Sequence, residues 1–141
     1  MVVHKSYVDI NVFIYWLGNH PTLGKAAHKW IKKIEEAPQG KYVTSSLTLY
    51  ETLVIIAGLT GRTLKDKTFI EKTLKPITSL ASLLITPLTL EDITEATKLM
   101  KKYNLDYEDA LHLATALRNN TKEIISNDQD FDKTPLKRKF L

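Results

Sequence analysis

The feature that most constrains the fold of this chain is an alternation of hydrophobic period. Short apolar runs at Tyr7–Ile10, Lys41–Thr44, Ser82–Thr86 and Glu123–Ser126 alternate with longer segments whose apolar residues recur every three or four positions. The first such segment runs from Asn11, a candidate cap, through Phe13, Ile14 and Leu17 to Gly18. Ala27, Trp30, Ile31 and Ile34 mark a second, and Ala37-Pro38-Gln39-Gly40 reads as a turn after it. Ser45 or Ser46 opens a third, carrying Leu49, Leu53, Ile56 and Ala57. A fourth spans Leu64 to Leu80, where Pro76 should kink or shorten it. Thr89 with Asp92 starts a fifth, stopped at Asn104, and Asp106 starts a sixth through Ala110, Leu113, Ala114 and Leu117. Strands this short and apolar, separated by helices, predict an α/β layer structure with a mainly parallel sheet covered on both faces. The stretch from Lys133 onward is polar and basic. Its Lys137-Arg138-Lys139 run reads either as a disordered solubilising tail or as a holder of phosphates.

Length and composition bound the rest. The 141 residues suit a single domain over 1–141, and 43% hydrophobic residues suffice for a core. The chain has no cysteine, which excludes disulfides, thiolate metal sites and cysteine nucleophiles and suits a reducing cytoplasm. The opening MVVHKSYVDINVFIYWLG lacks the apolar core and cleavage site of a signal peptide. No window is apolar enough to span a membrane, so the expected location is cytoplasmic. A net charge of +4 favours a polyanionic partner, although an ordinary basic surface has the same balance.

Ligands of an open parallel sheet bind beyond the C-terminal ends of its strands. Asp9 ends the first predicted strand, Asp128 follows the fourth, and Asp109 and Glu51 sit in the first turns of helices. Four carboxylates from separate segments can thus converge at one edge. Such a cluster repels itself unless some members take up protons or a cation joins them. Oxygen donors without thiolates favour Mg²⁺ or Mn²⁺, which can activate water for in-line phosphoryl displacement. Each residue also has a plainer reading. Asp9 can cap the following helix. Glu51 completes a capping box with Thr48, and Asp109 completes a helix start with Asp106. Asp128, Asp130 and Asp132 can form a solvated acidic loop, with Asp130 and Asp132 the more loop-like. His112 lies one turn beyond Asp109, where it can serve as a ligand or move a proton.

These pieces, taken in order, resemble the PIN-domain family. Tyr7-Val8-Asp9-Ile10-Asn11-Val12-Phe13-Ile14 is similar to its opening signature. Ser45-Ser46-Leu47-Thr48-Leu49-Tyr50-Glu51 is similar to the segment of its mid-chain glutamate. Asp109-Ala110-Leu111-His112-Leu113-Ala114 resembles its Asp-Ala-rich helix, and Ser126-Asn127-Asp128-Gln129-Asp130-Phe131 its closing acidic segment. The resemblance implies a three-layer α/β/α sandwich with a four- or five-stranded sheet and metal-dependent RNA cleavage. It makes Asp9, Glu51, Asp109 and Asp128 the metal-associated carboxylates and Asn11 and Ser126 their polar supports, with Asp130 an alternative register to Asp128. The compact size resembles VapC-type toxins of toxin–antitoxin pairs, which implies an endoribonuclease, a cognate antitoxin and a homodimer. Arg62, Arg118 and the Lys137–Lys139 run are candidates for holding the RNA backbone. The alternatives are a PIN nuclease of RNA processing, a silent RNA- or protein-binding PIN scaffold, and a magnesium-dependent phosphatase. For the phosphatase, Asn11 stands where a second aspartate would be needed.

Overall fold

The computed structural model describes residues 4–141; Met1, Val2 and Val3, part of the segment read for a leader, lie outside the described residues. The elements run β1 (Lys5–Val8), α1 (Ile10–Leu17), α2 (Gly24–Glu36), β2 (Tyr42–Ser45), α3 (Ser46–Thr60), α4 (Lys67–Thr78), β3 (Leu84–Thr86), α5 (Leu90–Tyr103), α6 (Tyr107–Arg118), β4 (Thr121–Ile125), a 3₁₀ turn (Gln129–Lys133) and β5 (Lys137–Lys139). All strand pairs are parallel, in the order β3-β2-β1-β4-β5. The chain builds outward from β1 to β3, then crosses over to β4 on the other side. The strand order therefore reverses between β1 and β4, and their C-terminal ends frame the crevice where such sheets bind ligands. Among the described residues, no helix is long and apolar enough to cross a membrane.

Period-two alternation splits the core into two layers. Tyr7 and Ile124 face α5 and α6 with Leu99, Leu113 and Phe131. Val8 and Ile125 face α1 and α2 with Phe13, Ile31 and Ile34. Both faces of the sheet are covered, which is why its strands read as apolar runs.

The helix boundaries follow local chemistry. Asp9, not Asn11, caps α1, accepting the Ile10 N–H at 2.8 Å. Ser45 caps α3 through the Leu47 N–H, so the Thr48–Glu51 capping box does not form, and Thr48 is buried against Thr44. Asp66 caps α4, which is shorter than the predicted Leu64–Leu80, and Pro76 sits in its last turn. Thr89 and Asp92 form the reciprocal capping box of α5, and Asn104 ends that helix in the left-handed region at φ 53°.

The largest departure from expectation is the C-terminal segment. Lys137-Arg138-Lys139 forms an edge strand parallel to β4 rather than a disordered tail. Its composition hides it, because its own side chains are charged and suit an exposed sheet edge. What fixes it lies on either side: Leu136 is buried in one core layer and Phe140 in the other. Arg138 adds an ion pair to Asp132 at 2.9 Å and a bond to the Ser126 carbonyl at 3.3 Å. We expect Phe140→Ala to lower unfolding free energy by about 3 kcal/mol in urea titration, the scale for truncating a buried aromatic. A loss under about 1 kcal/mol would mean the segment is not part of the cooperative core.

Candidate active site

The ends of β1 and β4 are tied together by side chains. Asp9 closes β1, is 3% exposed, and receives the Ser126 hydroxyl proton at 2.6 Å from the end of β4. Ser126 Oγ in turn accepts the Asn11 amide at 3.1 Å and the Asp128 N–H at 3.0 Å. Asn11 also reaches Asp9 at 3.4 Å, and its oxygen accepts the Asn127 N–H at 3.3 Å. Asn11 and Ser126 thus hold the two strand ends in one register and fix how Asp9 and the Asp128 loop sit.

Above this base, α6 and the loop after β4 supply carboxylates. Asp106 caps α6 by accepting the Asp109 N–H at 2.8 Å, which places Asp109 in its first turn. Asp128 caps the 3₁₀ turn by accepting the Asp130 N–H at 2.9 Å. One oxygen each of Asp109, Asp128 and Asp130 lies within 4.8 Å of the others. This is the acidic group of the described residues tight enough for a metal ion, and Asp130, the more loop-like reading from sequence, belongs to it. Lys133 approaches Asp130 at 3.4 Å on the exposed side.

The two other expected ligands lie outside this tight group. Asp9 is coupled to it electrically. Burial pushes its carboxyl up and the Asp128 charge adds to that, against the opposing pull of His112, Ser126 and the Ile10 N–H. Glu51 is held one step away. Its Oε1 meets His112 Nε2 at 2.5 Å, while His112 Nδ1 meets the Tyr7 hydroxyl at 2.6 Å. His112 is 1% exposed, so the chain Tyr7–His112–Glu51 is a buried polar link from β1 to α3.

The charge states follow from these contacts. Burial pushes Asp109 up to about 7, helped by Asp128, Asp106, Asp9 and Asp130. Glu108 also rises to about 7, first through a hydrogen bond to Glu51 and then through burial. Burial alone would raise Glu51, but hydrogen bonds from His112 and Glu108 and the His112 charge hold it below its usual range. Burial opposes a charge on His112 as well. It is outweighed by the Tyr7 oxygen, the Glu51 bond and the Asp9 and Glu51 charges, which raise the imidazole well above its ordinary value. Sequence reading missed Glu108, because a neutral glutamate beside Glu51 has no local signature. His112 was weighed as a ligand or proton carrier, and its observed contacts are with Tyr7 and Glu51.

The arginines named for RNA are engaged elsewhere. Arg118 donates to both oxygens of the buried Asp92, at 2.8 and 2.9 Å, and to the Pro87 carbonyl. Arg62 pairs with Asp66 and Arg138 with Asp132.

The profile of the PIN domain matches residues 6–137, and the chain belongs to the PIN-domain family. No curated protein matches its sequence. Solved structures similar to it include Mycobacterium tuberculosis VapC20, described as a sarcin–ricin loop cleaving toxin. That structure has a TM-score of 0.72 and 14% identity, covering 91% of this chain and 93% of that one. A toxin–antitoxin complex from Klebsiella pneumoniae gives 0.65 and 20%, with 94% and 99% covered. VapBC2 from Rickettsia felis, bound to a DNA fragment from its promoter, gives 0.64 and 16%, with 96% and 97% covered. At these identities the likeness establishes the fold: a five-stranded parallel α/β sandwich.

The donor set fits a divalent cation. Its atoms are carboxylate oxygens, the chain has no thiolate to compete, and Asp109 is raised first by burial and then by neighbouring carboxylates, whose repulsion a cation would relieve. The same shifts set a pH dependence. Asp109 and Glu108 bind protons more tightly folded than unfolded, so stability falls as pH rises from the ordinary carboxyl range to about 7. His112, raised when folded, stabilises fully below its ordinary value, and that contribution is lost as pH rises through its folded value. All three groups act in one direction. The melting temperature in chelator should fall between about pH 5 and pH 8, and Mn²⁺ should offset the loss at the upper end. A metal-free melting temperature that rises over this interval would contradict these assignments.

Proposed function

We propose that the chain is a Mg²⁺- or Mn²⁺-dependent endoribonuclease acting as the toxin of a toxin–antitoxin pair. The observation that carries this reading is the closure of Asp109, Asp128 and Asp130 to within 4.8 Å at the switch crevice of a PIN fold, with Asp9 electrically coupled to them. In this reading Asp109, Asp128 and Asp130 hold the cation with Asp9, and Glu51 pairs with His112 outside that group. A divalent cation held there supplies an activated water and neutralises charge building on the phosphodiester. The side chains supply the positioning. The Ser126 hydroxyl and the Asn11 amide fix Asp9, and the cap from Asp106 fixes the turn carrying Asp109. Glu108, raised to about 7, shares a proton with Glu51 in its protonated form and so lowers the negative charge of the crevice rim below neutral pH.

The similar solved complexes of toxins with antitoxins support an antitoxin partner. Self-association into a homodimer is supported by apolar side chains left exposed on α3 (Tyr50, Val54 and Leu59) and α5 (Leu90 and Ile93). A chain carrying Val54→Lys and Leu90→Lys should run as a monomer in light scattering where the parent runs as a dimer. A monomeric parent would refute the dimer.

Cleavage itself is tested by Asp109→Asn and Ser126→Ala on single-stranded RNA with Mg²⁺. Asp109→Asn should lose at least about 100-fold in rate, and Ser126→Ala about 10- to 100-fold, the range for residues that orient metal-bound groups. Asp109→Asn should also melt higher than the parent in chelator near pH 8, because it removes a repelled charge. Undiminished cleavage by Asp109→Asn would refute the assignment. RNA binding without any cleavage by the parent would favour a silent scaffold.

A further inference from the structure

A second concave surface, basic where the crevice is acidic, runs along α2. One cavity of about 460 Å³ is lined by Trp30, Lys33, Lys41, Tyr42 and Lys139, among others. Another of about 620 Å³ is lined by Lys25, Lys29, Trp30, Lys33 and Phe140, among others. The two share Trp30, Lys33 and Lys139 and so form one groove. Lys25, Lys29 and Lys33 recur every fourth residue on one side of the helix, each about 6 Å along the axis from the last. All three are exposed, and neither they nor Lys41 has an ion-pair partner among the described residues. Of the two side-chain carboxylates in the lining, Glu123 is neutralised by Lys139, which leaves Glu36 against four lysines without an ion pair, Lys33 and Lys41 lying against the Trp30 and Tyr42 rings.

A merely solvated helix face does not account for this stripe. Like charges four residues apart destabilise a helix by about 0.2–0.5 kcal/mol per pair, and α2 carries two such pairs in a row. An anionic ligand with regularly spaced charges turns that cost into a binding site. Trp30 donates its indole N–H to the Phe140 carbonyl at 2.7 Å, so what it can offer a ligand is the part of its ring that Lys33, 4.4 Å over the centroid, does not cover. Lysines at the spacing of successive phosphates, beside an aromatic ring, fit an extended single strand of nucleic acid. At its Phe140 end the groove adjoins side chains that reach the acidic crevice. The Phe140 ring lies 5.8 Å from that of Tyr15, and the Tyr15 hydroxyl accepts from the side chain of Asn127, the neighbour of Asp128.

We propose that this groove binds the single-stranded flank of an RNA substrate and feeds it to the acidic site. The inference rests on the ribonuclease reading for its purpose, while the binding itself is tested without catalysis. Anisotropy of a fluorescein-labelled oligouridine of about 16 nucleotides, in excess chelator, reads it directly. K25A/K29A/K33A should bind about 10-fold or more weakly, with the log–log salt slope reduced by about 2 at ~0.7 per phosphate contact. Alanine favours the helix, so the variant's melting temperature should stay at or above the parent's. K98A/K101A/K102A, an equal change of charge on α5 across the sheet, should bind within about 2-fold of the parent, since its lysines lie away from the groove. Equal losses in the two variants, or none in the first, would overturn the proposal, as would a parent that binds no RNA. Polyglutamate displacing the RNA at lower concentration would overturn it in favour of an acidic peptide. A parent that cleaves nothing with Mg²⁺ yet shows the selective loss of binding would refute the nuclease reading and leave the groove standing.

Discussion

The structure turns on a conflict: several carboxylates are drawn together at the ends of β1 and β4, where they repel one another. The fold produces this closeness by stitching the two strand ends through Asp9, Ser126 and Asn11. Once that register is set, the turn after β4 and the first turn of α6 bring Asp128, Asp130 and Asp109 together. Burial and, after it, the neighbouring carboxylates raise Asp109 to about 7, and burial with a smaller contribution from Asp128 pushes Asp9 up. A chain selected for stability alone has no reason to keep such a cluster. A chain that holds a cation does, because the ion turns mutual repulsion into shared attraction.

The surroundings keep that conflict local. His112, buried between Tyr7 and Glu51, is held toward its protonated form by Tyr7, Glu51 and Asp9, and the bond to Glu51 raises Glu108 to about 7. On the other side of α6, Arg118 engages Asp92, which also accepts the Thr115 hydroxyl and joins the α5 cap, locking α5 to α6. The helix that presents Asp109 is therefore anchored along its length by polar contacts independent of any ion.

Much of the architecture was legible in the sequence because apolar periodicity is a local signal. The strands around Tyr7, Val43 and Ile124 and the helices through Ile34, Leu53 and Leu113 all follow from it. The β5 strand was not legible, since Lys137-Arg138-Lys139 carries no apolar pattern and is fixed by Leu136 and Phe140 on either side. For the site, placement of Asp9 and Asp128 beyond strand ends could be read from strand positions. The membership of Asp130, the raised Glu108 and the pairing of Glu51 with His112 could not. Each depends on side chains far apart in sequence, as do the partners that occupy Arg62, Arg118 and Arg138. Lys25, Lys29 and Lys33, by contrast, have no ion-pair partner among the described residues.

The basic groove along α2 and the acidic crevice between β1 and β4 are linked through the contacts of Phe140, Tyr15 and Asn127. The central claim, that the carboxylates share a divalent cation, is tested most directly by anomalous scattering from a crystal soaked in Mn²⁺. The account predicts one strong peak bonded to oxygens of Asp109 and Asp128 at about 2.0–2.2 Å, with Asp9 or Asp130 completing the set directly or through water. An empty crevice at saturating Mn²⁺, or a peak elsewhere with these side chains unmoved, would contradict it.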